Sequence, residues 1–326
     1  MTVHDIKSST VVLTGPTRGI GSAMLDRLLE HPAHPNLILL GRDPFALEGA
    51  VGRAHAAGVD ARAIRLDLAD LRTVDAALDE LRGLVERGEV SAPEAVMLNA
   101  GAQFGDRRGT SVQGVEQTFA VNVVAQHVLV RGMLPLLAPG SHLVLMGSST
   151  HRGRLQSFGL LPSPRPAPPA ELAQVDRSEA GATRQAGGRA YSDSKLALVT
   201  LSHAWARRAA AAGHRLNTYD PGLVPGTGLT RTLPDFAFWG WEHVMPAMAI
   251  LPKASTPRAT ARHAIDLLLG DRHPGLHGCY VELGRVTLAA EPTFDLARQE
   301  ALFAWMEHRF PVAAPRADSV RSVGTA

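Results

Sequence analysis

Two side chains one helical turn apart, Tyr191 and Lys195, have the types and the spacing to move a proton. They lie in the segment GRAYSDSKLAL at 188–198. Residues four apart on a helix face the same way, so an ordinary surface pair is one interpretation. The other is chemical, because an ammonium held near a phenol favours the phenolate and lowers the phenol's pKa from about 10. A tyrosine adjusted in this way is a general acid or base near neutral pH. The spacing alone leaves both interpretations open.

A glycine-rich turn is the second chemical pattern. The stretch TGPTRGIG occupies 14–21, directly after a strand pattern and before a helical one. Gly15, Gly19 and Gly21 let the backbone turn tightly and approach a ligand. The amide groups and the positive dipole end of the following helix would then face that ligand. In this context the turn predicts a pyrophosphate site. An ordinary structural turn is the alternative.

Two arginines bear on the kind of dinucleotide. The second apolar run ends at Gly41 and Arg42, where a site for NADH usually has an acidic residue. Arg18 lies inside the glycine turn. Guanidinium groups match phosphate in charge and geometry, so these residues favour a 2′-phosphate and therefore NADPH over NADH. Solvated arginines, or a pair between Arg42 and Asp43, are the alternatives.

The elements that must position these residues alternate through the first half of the chain. The strand patterns are 10–15, 36–41, 61–68, 94–101 and 141–148, and the helical patterns are 20–30, 44–57, 70–87 and 113–137. Such alternation predicts right-handed crossovers and a parallel sheet covered on both faces. The predicted fold class is therefore α/β, a doubly wound parallel sheet of the Rossmann type.

The second half of the chain is less regular. Residues 155–189 are rich in proline and small residues, which predicts a long surface loop. The patterns that follow are a helix at 190–212, a strand at 215–220, a helix at 257–270, a strand at 278–283 and a helix at 293–308. We expect a single domain over 1–311, with an insertion loop at 152–189, a substrate lid at 226–256 and a disordered tail at 312–326.

Composition narrows the class of partner. The 326 residues are 45% hydrophobic and 20% charged, and the net charge of +2 is spread along the chain, so no nucleic-acid partner is expected. The 14 histidines are scattered, so we expect no metal site. With one cysteine, Cys279, no signal-peptide pattern and no apolar run near 18 residues, we expect no membrane span and a cytoplasmic location.

Seven motifs in order resemble the short-chain dehydrogenase/reductase (SDR) family, from about residue 9 to 285. They are TGPTRGIG (14–21), LDL (66–68), LNAG (98–101), VN (121–122), GSS (147–149), YSDSK (191–195) and PG (221–222). One departure is Leu98, which replaces the first asparagine of the family's NNAG. The resemblance implies a Rossmann-type oxidoreductase with a nicotinamide cofactor.

The resemblance also implies a role for each matching residue. Tyr191 is the catalytic acid/base, Lys195 lowers its pKa and holds the nicotinamide ribose, and Asn122 anchors a proton-relay water. Ser148 binds the substrate oxygen, with Ser149 as the runner-up. The residues expected to bind NADPH are Gly15, Thr17, Arg18, Gly19, Ile20, Gly21, Arg42, Asp67, Leu68, Asn99, Ala100, Gly101, Tyr191, Lys195, Pro221, Gly222, Val224 and Thr227.

Finer features point to a branch and a substrate class. SSTH (148–151) and PGLVPGTGL (221–229) resemble the branch of retinol dehydrogenases and protochlorophyllide reductases, which implies NADP and bulky apolar substrates. Phe236, Phe238, Trp239 and Trp241 fall in the predicted lid and favour a large apolar ligand. An oligomer interface or core packing is the alternative for this segment. His151 and Met146 lie within reach of the same pocket without an assigned role.

Three functions remain open on these residues. The first is a ketoreductase or alcohol dehydrogenase that uses NADPH and takes a bulky apolar small molecule. The second is reduction of an enone or quinone, or a reductive rearrangement, at the same site. The third is a regulator that binds NADPH without turnover. The oligomeric state is also open, and a homo-oligomer is one outcome.

Overall fold

A single mixed sheet sets the position of every candidate residue. The computed structural model describes residues 9–154, 159, 161–224 and 255–311. The strands are β1 (Thr10–Thr14), β2 (Asn36–Gly41), β3 (Ala61–Arg65), β4 (Pro93–Leu98), β5 (His142–Met146), β6 (Arg215–Asp220), β7 (Tyr280–Glu282) and β8 (Arg285–Thr287). Their order is β3-β2-β1-β4-β5-β6-β7-β8, parallel throughout except for β8, which pairs antiparallel with β7. The predicted doubly wound α/β fold is confirmed.

Helices cover both faces of this sheet. They are α1 (Gly19–Leu29), α2 (Pro44–Ala56), α3 (Leu71–Glu86), α4 (Gln117–Phe119), α5 (Ala125–Met133), α6 (Pro169–Leu172), α7 (Arg184–Ala211), α8 (Pro257–Leu269) and α9 (Leu296–Arg309). One core packs α1, α2 and α8 against one face, and a larger core packs α3, α5 and α7 against the other. Successive side chains of a strand point to opposite faces of the sheet. In β1, Val11 therefore belongs to the first core and Val12 to the second.

Two helices begin at residues other than those that the sequence predicts. The pattern at 113–137 becomes α4, a π-helical segment at Ala120–Val124, α5 and a 3₁₀ turn at Leu134–Leu136. Helix α7 begins at Arg184, not at 190, because the Thr183 side chain accepts the Ala186 amide and caps it. The interval predicted as a long surface loop therefore contains the first turn of α7 and the short helix α6.

The interval 161–189 packs on the start of α7. The Arg165 amide donates to Asp193 Oδ1 at 2.7 Å, and a side chain at Gly188 would contact Leu161 and Pro162. Leu172 of α6 is buried in the larger core. Whether 152–189 orders over a substrate stays a prediction.

Residues Gln117–Leu136 qualify by length and composition as a membrane span. Their mean hydropathy is 1.3, and they are the one candidate found in the described part of the chain. In the fold, 72% of the most apolar window is buried inside the protein, as in a core helix that packs against a sheet.

Several predictions concern residues outside the described part of the chain. These are residues 226–254 of the lid predicted at 226–256, with its four aromatic residues, Thr227 and the tail at 312–326.

Candidate active site

The candidate residues meet where the parallel strands end. The glycine turn follows β1, Arg42 follows β2, Asp67 follows β3 and Asn99 follows β4. Strand order reverses between β1 and β4, and ligands of doubly wound sheets bind in the crevice at such a point. Asn99 bridges the two strands, since its Nδ2 donates to Thr14 O at 3.0 Å.

The glycine turn has the backbone geometry that its sequence predicts. Gly15 and Gly19 have φ of 69° and 55°, which side chains rarely adopt. A side chain at Gly21 would clash with Gly15 O, so helix α1 lies directly against the turn. Thr17, Arg18 and Ile20 complete the turn, and Arg18 precedes the first residue of α1.

The backbone amides at the start of α1 have no capping side chain. Its preceding residue makes no capping side-chain bond, and its first turn has no acidic residue. In the described part of the chain, six other helices start at a capping side chain: Asp43, Asp70, Glu116, Thr183, Thr256 and Asp295. The amides of α1 are therefore available to an anion such as a pyrophosphate.

The residues after β2 and β3 are arranged for a nucleotide. Arg42 is exposed, and the Asp43 carboxylate is occupied as the cap of α2, accepting the Phe45 and Ala46 amides at 3.0 and 3.2 Å. Asp67 is half-buried, and its Oδ1 accepts the Ala69 amide at 3.0 Å. Leu68 beside it is buried.

Tyr191, Lys195 and Ser148 come together below this crevice. Helix α7 buries Tyr191 and Lys195, which are 7% and 4% exposed. Lys195 Nζ lies 5.7 Å from the Tyr191 ring centroid and donates to Met146 O at 2.8 Å. The Ser148 Oγ accepts the Thr150 amide at 3.4 Å and the Thr150 hydroxyl at 3.1 Å, and its proximity to Tyr191 lowers the pKa of that phenol. The spacing of the pair is therefore not that of a surface pair.

The pKa of Tyr191 differs in direction from the sequence-based expectation. This pKa is raised to about 12, chiefly by burial; the Ser148 side chain lowers it and the nearby Asp220 charge adds to the rise. Burial also lowers the pKa of Lys195 to about 8, against the attraction of Asp220. Desolvation disfavours the charged form of each group, and it is the largest cause of both shifts.

Asn122 joins the segment after β4 to α7. It lies in the π-helical segment, its Oδ1 accepts the Ala102 amide at 2.8 Å, and its Nδ2 donates to Ala102 O at 2.8 Å and to Ser194 Oγ at 3.1 Å. A side chain at Gly101 would lie 3.0 Å from Asn122 Oδ1. The side chain of Asn122 thus fixes the backbone near Gly101, and its role toward a water stays a prediction. Ala100 is tied to β1 through Thr14 Oγ1 at 2.9 Å.

The loop after β6 is fixed by an acid that the sequence analysis missed. Asp220, fully buried, accepts the Gly222 amide at 2.9 Å through Oδ1 and the Tyr280 hydroxyl at 2.7 Å through Oδ2. Its pKa is raised by burial. The sequence signal was an acid immediately before Pro221 and Gly222 at the end of a strand. Val224, also predicted to bind the cofactor, is buried.

Residues 9–157 match the family model described as short chain dehydrogenase. The matched segment runs from β1 to the residues after Ser148, and so includes the glycine turn, Asn99, Asn122 and Ser148. Tyr191 and Lys195 lie beyond it.

Among similar proteins is a putative daunorubicin C-13 ketoreductase, DnrU, of Streptomyces sp. (strain C5). The identity is 33% over 201 residues, which is 61% of each chain. The match thus spans less than two thirds of that relative. A short-chain dehydrogenase/reductase of Pestalotiopsis microspora is 27% identical over 69% of this chain and 72% of its own length.

Solved structures show the same fold. The angucycline C-6 ketoreductase LanV with bound NADP has a TM-score of 0.63 at 19% identity, with 86% of this chain and 96% of that chain covered. The NADPH-bound carbonyl reductase from chicken fatty liver has a TM-score of 0.59 at 18% identity, with coverage of 86% and 99%.

Proposed function

We propose that the protein is an NADPH-dependent ketoreductase in which Tyr191 protonates the substrate oxygen. The observation that supports it is the meeting of three groups, since Lys195 Nζ lies 5.7 Å from the buried Tyr191 ring and Ser148 is near enough to lower the pKa of Tyr191. An acid, a hydrogen-bond donor and a cation at one place suit a reaction that places negative charge on an oxygen.

The residues fit a phosphorylated dinucleotide. The uncapped start of α1 and the turn pressed against Gly21 leave amides for a pyrophosphate, and exposed Arg42 offers its guanidinium to a 2′-phosphate. Bound NADPH would supply a hydride to the carbonyl carbon. Lys195, close to Gly101 and to Tyr191, is the residue that would hold the nicotinamide ribose.

Three side chains of this chain would then handle the oxygen. Ser148 donates a hydrogen bond to the substrate oxygen and stabilises the charge that develops there. Tyr191 transfers its phenolic proton to that oxygen, so the bond between Tyr191 Oη and its hydrogen breaks as the alcohol O–H forms. The ammonium of Lys195 stabilises the phenolate left behind, which offsets the burial that raises the pKa of Tyr191 to about 12.

A bulky apolar ketone or secondary alcohol is the proposed substrate class. Supporting this, two similar proteins are named as ketoreductases of daunorubicin and of an angucycline. The resemblance to the retinol dehydrogenase and protochlorophyllide reductase branch favours the same class. Reduction of an enone or quinone by the same residues is the second candidate, which product masses separate from the first. Lone Cys279 fits a cytoplasmic enzyme.

The decisive experiment is turnover of bulky ketones, enones and quinones with NADPH and NADH, using wild type, Tyr191→Phe and Tyr219→Phe. Loss of the Tyr191 hydroxyl should lower kcat by a factor on the order of 10²–10⁴ while NADPH still binds. Tyr219 is the matched control, because its buried hydroxyl donates to Thr260 O at 3.0 Å. Absence of wild-type turnover despite NADPH binding would favour the regulator.

A further inference from the structure

A chain of buried hydrogen bonds leads from β6 to Ser148, and the proposed reaction does not use it. The Tyr280 hydroxyl donates to Asp220 Oδ2 at 2.7 Å and lies 3.4 Å from His151 Nδ1. His151 Nδ1 lies 2.6 Å from the main-chain oxygen of Ser148. Asp220, His151 and Tyr280 are all at most 2% exposed. Water therefore does not compete for these bonds.

The partners of His151 settle which of its nitrogens holds the proton. The Ala290 amide donates to Nε2 at 3.1 Å, so Nε2 is an acceptor. Burial lowers the pKa of His151 to about 4, which leaves the ring neutral. Its single proton is therefore on Nδ1 and is donated to Ser148 O. The Tyr280 hydroxyl, which gives its own proton to Asp220, presents only lone pairs to this ring.

Packing holds the Tyr280 ring in place independently of its hydroxyl. The His151 and Tyr280 ring centroids are 4.7 Å apart, and Arg152 Cζ lies 4.8 Å from the Tyr280 centroid. Arg152 is itself fixed by Glu282 Oε2 at 2.7 Å. Replacing Tyr280 by phenylalanine therefore removes one hydroxyl and leaves the ring contacts.

We propose that Tyr280 and His151 are positioning residues that transmit the fixed geometry of Asp220 to Ser148 and hold its hydroxyl on Tyr191. This inference rests on the proposed reductase function. Ser148 follows the last residues of β5 in an extended conformation, and its Oγ has a competing partner in Thr150 Oγ1 at 3.1 Å. Fixing the Ser148 carbonyl fixes the peptide that follows it. The hydroxyl then keeps the direction that meets Tyr191.

Asp220 is the wrong residue to replace in a test. The same carboxylate accepts the Gly222 amide at 2.9 Å, so its loss would also disturb the loop proposed to bind NADPH. Within the described residues, the side-chain hydrogen bonds of Tyr280 and His151 reach Asp220, Ser148 and Ala290, none of which is proposed to bind the cofactor.

The first test is a double-mutant cycle between Tyr280→Phe and Ser148→Ala. Tyr280→Phe should lower kcat about tenfold and leave the Kd for NADPH within about twofold, because substrate oxygen loses an oriented donor. In the Ser148→Ala background the same change should alter kcat by less than about twofold, since the residue it acts through is gone. Tyr219→Phe, which removes an equally buried hydroxyl, should leave kcat unchanged. Equal losses in both backgrounds would overturn the proposal.

The second test compares two replacements of His151. The amide of asparagine reaches the place of Nδ1 and can donate to Ser148 O, whereas that of glutamine reaches the place of Nε2 and can only keep the Ala290 contact. His151→Asn should therefore retain more of kcat than His151→Gln. The reverse order would show that His151 serves the Ala290 segment, and the proposal would fail.

A third readout needs no turnover. If wild type reduces no carbonyl, the proposed function fails, while the hydrogen-bond chain can still be read from heteronuclear NMR of the histidine ring nitrogens. The Nδ1-protonated tautomer of His151, protected from solvent exchange, is expected in wild type and a changed Nδ1–H signal in Tyr280→Phe. An Nε2-protonated ring would contradict the chain itself.

Discussion

Two adjacent serines illustrate how direction, and not residue type, assigns chemistry at the scale of the residue. Ser148 and Ser149 both follow β5, and the sequence ranks the first only by its position in the motif. In the fold, Ser148 is near enough to Tyr191 to lower the pKa of that phenol, and Ser149 is buried as the first residue of a 3₁₀ turn. The two residues have the same side chain at adjacent positions, which makes Ser149 a useful control for Ser148.

Ser148→Ala and Ser149→Ala should therefore separate by kinetics. Removing the donor beside the developing oxyanion should lower kcat by a factor on the order of 10²–10³. Ser149→Ala should keep kcat within about threefold, because the buried hydroxyl of Ser149 lies in a turn and contributes mainly to stability. Steady-state kcat with a good ketone is the measurement. A larger loss for Ser149→Ala would exchange the two roles.

The sequence was sufficient to predict which motif residues come together, but not which other residues contact them. Gly15, Asn99 and Ser148 follow parallel strands, and such strand ends share an edge, so their convergence follows from the alternation of elements. The contact of Asp220 with Tyr280 depends on the register of β6 and β7, which leaves no trace in local pattern. The pKa direction of Tyr191 likewise depends on how deeply α7 is buried.

At the scale of the element, helix α9 covers the outer face of α7 and α5. Phe303 packs edge-on against Trp205 at 5.0 Å between centroids, and His127 packs against both rings. Glu307 of α9 holds His127 Nε2 at 2.7 Å and Arg131 at 3.2 Å. A neutral histidine thus sits inside the contact that docks the last helix.

Acidification should loosen this contact in a predictable window. Burial lowers the pKa of His127 to about 4 from an ordinary value of 6.5, so the unfolded chain binds a proton first as the pH falls. Stability from this group is full above pH 6.5 and is lost progressively down to about pH 4. Relative to His127→Phe, wild type should lose about 2 kcal/mol of unfolding free energy between about pH 7 and pH 5.

Urea unfolding of both proteins at several pH values measures this difference. The variant keeps an aromatic ring against Trp205 and Phe303, and Glu307 keeps Arg131. His308→Phe, the same change at an exposed position of α9, is the control. Parallel stability curves for wild type and His127→Phe would show that the docked histidine is not the titrating group.

The limits of a helix or strand could be predicted from the sequence where a single local pattern of apolar residues determines them. The buried strands β1, β2 and β6 are short apolar runs and matched their predicted limits closely. Strand β8 was missed because it has three residues, two of them exposed, and gains its order from pairing with β7. The π-helical segment keeps the helical apolar pattern, so only tertiary packing around Asn122 distinguishes it.

At the scale of the whole molecule, the candidate cofactor crevice joins the two halves of the sheet. Strands β1 to β3 lie on one side of it, and β4 to β7 lie on the other. A dinucleotide bound there would contact segments that are far apart in sequence, from Gly15 to Gly222. Binding to the folded state alone should then stabilise the whole fold and not one local segment.

NADPH should therefore raise the midpoint of a cooperative thermal transition. At a concentration about 100 times Kd, the gain is about 2.7 kcal/mol, or a rise in Tm of about 4 °C for a chain of this size. NADH at the same concentration should give a smaller rise, because it lacks the phosphate that Arg42 would bind. Arg42→Ala should reduce the NADPH rise in Tm to the NADH value. It should leave the NADH rise unchanged, because Arg42 is exposed and its removal should not change the stability of the fold. Calorimetry of the two proteins with each cofactor measures all four shifts.

Equal rises with NADPH and NADH in wild type would refute the assignment of Arg42 to the 2′-phosphate. A rise confined to one of two transitions would refute a crevice that unites the sheet.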